Sequence, residues 1–171
     1  ISLPFRPVQI VNSWDPYGGF APWGGMEAGG YVYFYGQYVA DLGTLWRIVR
    51  MLPDGSQYQT LVQGANELRD PVVIGDRAYF LCHADCGDPA WVLASIPVTG
   101  GTITPEYQIP DYPHLYLFKN ILYLTGSSDG RIGELYAINT ATGQDALILD
   151  DIPYNDVTLS FSDKWLYWGG I

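Results

Sequence analysis

The chain has 171 residues, 48% of them hydrophobic and 15% charged, with a formal net charge of −10. That composition excludes a disordered polymer and leaves room for one sizeable core or an array of small units. Eight scattered Lys and Arg, against 18 Asp and Glu, argue against nucleic acid and anionic membranes as partners, and no apolar run approaches the roughly 20 residues of a membrane helix.

In chain order, the opening Ser2-Leu3-Pro4 matches Ser95-Ile96-Pro97 and reads as the end of a strand, with a further strand at Pro7–Val11. Residues 12–28 (beginning NSWDPYGGFAPWGG) read as a long loop. Gly29-Gly30 then opens GGYVYFYG, a two-residue turn feeding a strand, because glycine tolerates the positive φ of a tight hairpin. A strand and turn, IVRMLPDG, and a short TLV strand around Leu61 follow. The same succession returns twice. Pro71–Ile74, the turn Gly75-Asp76, AYF at 78–80, LASIPVTGG and ITPEYQI form one unit. Leu115–Phe118, the turn Lys119-Asn120, LYL at 122–124, LYAINTATG and ALIL around Ile148 form the next. Val157–Phe161, the turn Asp163-Lys164 and LYW at 166–168 begin a fourth.

The register of this repeat is set by Tyr33, Tyr79, Tyr123 and Tyr167, which are 46, 44 and 44 residues apart (79−33, 123−79, 167−123). Apolar residues flank each tyrosine on both sides. Four short up-and-down strands per unit of this length predict an all-β chain, a β-propeller of four-stranded antiparallel blades. A lone four-stranded sheet with two apolar faces cannot cover both, so sheets stack face to face about 10 Å apart. No helical i, i+3, i+4 stripe of useful length competes.

The stretches VYF at 32–34, LYW at 166–168 and LPDGSQYQTLV at 52–62 resemble the YWTD-type six-bladed propeller repeat and its bacterial relatives, the DUF5050-like and TolB-like propellers. The likeness covers most of the chain from about Gly29, although no unit has Thr-Asp after the aromatic pair. It implies architecture and says little about activity. On this reading residues 1–12 supply the last strands of a split blade, 24–155 three full blades and 156–171 the first two strands of a further one. That is about four blade-equivalents. The missing initiator Met and the short opening strand favour a segment of a larger six- to eight-bladed ring. A closed four-bladed ring and a pair of copies forming eight blades are the alternatives.

Chemistry-bearing residues are few. Cys82 and Cys86, in FLCHADCGD, fit a local disulfide first, free thiols next and a metal site with His83 and Asp85 last. There is no Gly-x-Ser-x-Gly elbow, phosphate-binding glycine loop or Asp-x-Asp-x-Asp run, so no catalytic residue or cofactor is assigned and calcium has only weak support. Asp54-Gly55 and Asp129-Gly130 read as turns. The connections entering each first strand, which a propeller places on one rim beside its channel, carry Trp14, Tyr17, Trp23, Arg69, Tyr112, His114 and Tyr154. Exposed aromatics among a few polar groups suit a protein or carbohydrate surface, while the same rings also serve to cap a core beneath loops. The expectation is a non-catalytic, secreted or extracytoplasmic scaffold or binding module. A structural subunit completed by strands of neighbouring chains and a propeller-type glycan lyase or hydrolase are the alternatives.

Overall fold

The computed structural model describes residues 19–40, 43–86, 90–109, 111–127, 132–153, 158–162 and 164–169. These residues form fourteen β-strands and no helix. The first sheet contains β1 (Gly19–Ala28), β2 (Tyr31–Ala40), β3 (Gly43–Met51) and β4 (Gln59–Gly64). The second contains β5 (Leu68–Ile74), β6 (Arg77–His83), β7 (Trp91–Pro97) and β8 (Thr104–Ile109), and the third β9 (Asp111–Phe118), β10 (Ile121–Ser127), β11 (Ile132–Asn139) and β12 (Gln144–Pro153). The fourth is the pair β13 (Thr158–Phe161) and β14 (Leu166–Gly169). Within each sheet the strands lie in sequence order and every pairing is antiparallel.

The turns follow from backbone chemistry. Gly29-Gly30 and Lys119-Asn120 have φ of 57° and 78°, and of 50° and 61°, the double left-handed geometry whose twist matches antiparallel strands. Asp54 accepts hydrogen bonds from the Ser56 amide and hydroxyl at 2.8 and 2.7 Å, and Gly55 follows at φ 86°. These contacts hold the Asp54 carboxyl below its ordinary pKa, the amide bond first.

The four repeat tyrosines all fall on the second strand of their sheets. Because side chains alternate along a strand, each tyrosine points one way and its neighbours the other. On β6, Ala78, Phe80 and Cys82 pack toward the first sheet, whereas Tyr79 and Leu81 pack toward the third. On β7, Ala94 and Ile96 share the first core, Trp91 and Leu93 the second. Leu122 and Leu124 of β10 face back to the second sheet, while Tyr123 faces the fourth and lies 4.9 Å from Phe161. Three apolar layers therefore separate four sheets, and full burial of each large side chain contributes roughly 1.5–3 kcal/mol.

Two expectations need correction. Residues 12–28 are not one loop, since Gly19–Ala28 form the ten-residue strand β1. Its glycines and prolines dilute the apolar alternation, but they are what the packing needs. A Cβ on Gly25 would stand 2.3 Å from the Tyr33 carbonyl oxygen, and one on Gly24 2.7 Å from the Tyr35 ring. The connections holding Arg69, Tyr112 and His114 are likewise strand, the opening residues of β5 and β9. The first four-stranded sheet thus begins at Gly19 rather than 24, and the third ends at Pro153. The strands expected before residue 12, and Asp129-Gly130, lie outside the described residues.

Candidate functional site

The first strands of the three four-stranded sheets lie side by side, with β5 in contact with β1 and β9. Each carries a bulge near its start. Trp23 is the extra residue between Pro22 and Gly24, Asp70-Pro71 oppose Phe80, and Tyr112-Pro113 oppose Gly126. A bulge inserts one residue, breaks the ladder locally and re-aims side chains. Proline, which has no amide to donate, is tolerated there.

Asp70 is the clearest product of this irregularity. Its φ of 51° is the left-handed region, uncommon for a residue with a Cβ and found where surrounding contacts hold it. Those contacts come from neighbouring sheets. The Tyr35 hydroxyl of β2 is hydrogen-bonded to Asp70. The Leu115 amide of β9 donates to Asp70 Oδ2 at 3.4 Å, and His114 Nδ1 stands 3.6 Å from the same oxygen. One carboxylate on the second sheet therefore ties the first sheet to the third. Burial, then the charge and hydrogen bond of Asp70, push the Tyr35 phenol up to about 12, so it remains a donor at neutral pH.

Arg69 sits beside this hub, near enough for its charge to act on the Tyr35 phenol. Its guanidinium lies 4.5 Å from the centre of the Trp91 ring, donates to the Pro113 carbonyl and stands 3.5 Å from Glu67. Its Nε is buried with no partner among the described residues. The connection leading into Arg69 is latched by the disulfide loop. Cys82 and Cys86 are bonded with Cα atoms 6.1 Å apart, Cys82 being fully buried. Asp85, between them, accepts the Asn66 amide at 2.6 Å and its side-chain nitrogen at 2.9 Å.

A cleft of about 400 Å³ opens where β1, β5 and β9 converge. Its walls are Gly24, Gly25 and Met26 of β1, Tyr35 of β2, Asp70–Val72 of β5 and Leu115–Leu117 of β9. Among the described residues Asp70 is the single carboxylate on those walls. Among the described residues no Ser, Cys or His lines it, and no three His, Cys, Asp or Glu are grouped to hold a metal ion.

Of the seven surface candidates, the structure brings Arg69 and His114 together around Asp70 and Pro113. Tyr112 falls in the β9 bulge beside them. Trp23 lies in the β1 bulge, 61% exposed, with its ring 5.4 Å from Trp46. Trp14, Tyr17 and Tyr154 lie outside the described residues. Asp70 and Tyr35 were not among the candidates. Their signals were present: Asp-Pro at the start of an apolar run marks a bulge, and Tyr35 stands two residues after Tyr33 where the other units have Leu81, Thr125 and Gly169.

No protein-family model matches this chain, and no curated protein matches it. Among the described residues no helix is long and apolar enough to cross a membrane.

Proposed function

We propose that the chain is a non-catalytic protein-binding module whose sheets are blades of a β-propeller akin to the YWTD-type repeat, and that its partner inserts a side chain into the cleft between β1, β5 and β9. The observation that carries this reading is the cleft itself: an apolar pocket at the junction of three sheets, with one carboxylate fixed by groups from two of them. Concave, mostly apolar sites with a few well-placed polar groups are the usual form of a binding pocket. A rim built on strands rather than on long loops keeps those groups in place without an ordering cost at the moment of binding. A disulfide is at home in an oxidising compartment, which supports a secreted or extracytoplasmic setting.

The test is a methyl and amide NMR titration of the chain with a panel of extended peptides and, separately, with oligosaccharides. Peptide-induced shifts clustered at Met26, Val72, Leu115 and Leu117 are expected. Shifts clustered there only with oligosaccharides would replace the protein partner by a glycan, and silence of these four residues throughout would remove the cleft from consideration.

A further inference from the structure

We infer that the group this cleft accepts is the ammonium of a lysine side chain on the partner, an inference that rests on the binding reading above. Charge comes first. Among the described residues Asp70 is the only charged side chain on the walls, and the whole chain carries −10, so the cleft favours a cation and the surrounding field draws it in. Shape comes second. Met26, Val72, Leu115 and Leu117 offer a sleeve for a straight aliphatic stem, and Tyr35, hydrogen-bonded to Asp70, stands at the charged end. Lysine buries its methylenes along apolar surface while keeping a compact charge at the tip.

The carboxylate geometry separates lysine from arginine. A guanidinium is best held by both oxygens of a carboxylate in a planar fork. Here Oδ2 is already taken by the Leu115 amide and faces His114 Nδ1. A full fork would have to share Oδ2 with that amide. An ammonium, with three donors around a point charge, needs only one free carboxylate lone pair and finds a second acceptor in the phenol oxygen of Tyr35, whose own proton is directed at Asp70. The left-handed backbone at Asp70 fits this role, because it holds the carboxylate in place before any ligand arrives.

The probe is Nα-acetyl-lysine methylamide, compared by NMR titration with its norleucine, Nε-acetyl-lysine and arginine counterparts. The lysine compound is expected to move the Met26, Val72, Leu115 and Leu117 resonances. Norleucine and acetyl-lysine should bind about 10- to 100-fold more weakly, the worth of a charge-assisted hydrogen bond, with arginine between them. Asp70→Asn should bring lysine down to the norleucine level. Thermal melts establish whether that variant folds, and if it does not, the ligand series on the unaltered chain together with Tyr35→Phe decides the matter. Norleucine binding the same residues as tightly as lysine would overturn the ammonium inference while leaving the cleft reading intact. If none of the four compounds moves these resonances, the ammonium inference and the cleft reading fall together.

Discussion

The second sheet, β5–β8, and the pair β13–β14 carry the same repeat tyrosine in opposite circumstances. Tyr79 is 8% exposed, pressed between its own sheet and the third, while Tyr167 is 54% exposed. The flanking residues differ less. Phe80 and Leu81 are sealed in the two layers around the second sheet, and Leu166 still packs back onto the third with Leu159 and Phe161. Sequence identity at a repeat position thus sets which way a side chain points. How much that side chain stabilises depends on whether another sheet lies in that direction.

Substitutions turn that contrast into measurements. Phe80→Ala should cost about 3–5 kcal/mol in denaturant unfolding, since it empties a fully buried ring site between the first two sheets. Reducing the Cys82–Cys86 bond should cost about 2 kcal/mol on a chain-entropy estimate for so short a loop. It should also release the Asp85–Asn66 latch, seen as faster amide exchange at Asn66. Phe161→Ala, which removes a ring stacked 5.0 Å from Phe118 in the thinner third layer, should cost about 1–2 kcal/mol.

High pH should narrow the difference from the other side. Tyr35 and Tyr136 are both pushed up to about 12, Tyr35 by burial and then Asp70, Tyr136 by burial and then its hydrogen bond to Glu134. The unfolded chain loses these protons near pH 10 and the folded chain does not. Stability is therefore unaffected by them below pH 10 and falls as pH rises from there toward 12. Thermal melts between pH 9 and 12 should show the decline, and Tyr35→Phe should flatten it. A decline unchanged in both Tyr35→Phe and Tyr136→Phe would remove these phenols as its source. The smallest effect belongs to Tyr167→Ala, expected within about 0.5 kcal/mol. A loss as large as that of Tyr79→Ala would mean that the β14 face is covered in solution.

Much of this frame was legible from the residues. The tyrosine register, the Gly29-Gly30 and Lys119-Asn120 turns and the four-strand units came from local rules, because hairpins are contacts between near neighbours. β1 was not legible. The residues that let Gly24 and Gly25 lie against Tyr35 and the Tyr33 carbonyl are the ones that erase an alternating pattern. The site was legible only in part for a related reason. Arg69 and His114 stand out as charged or titratable residues within two positions of a proline. Asp70 acquires its meaning from a bulge and from partners on β2 and β9, which are distant in sequence.

The constant direction of the tyrosines has one further consequence. Tyr33, Tyr79 and Tyr123 each present the ring to the sheet that follows, so a sheet has a front and a back that are chemically different. Contacts of that kind are heterologous. Two copies meeting front to front would oppose tyrosine to tyrosine and match nothing already in the stack. Any sheet that joins by the same rule, from this chain or another, meets Tyr167 with its back. Repetition of such a joint gives a closed rotor if the rotation per step divides the circle, and an open filament if it does not.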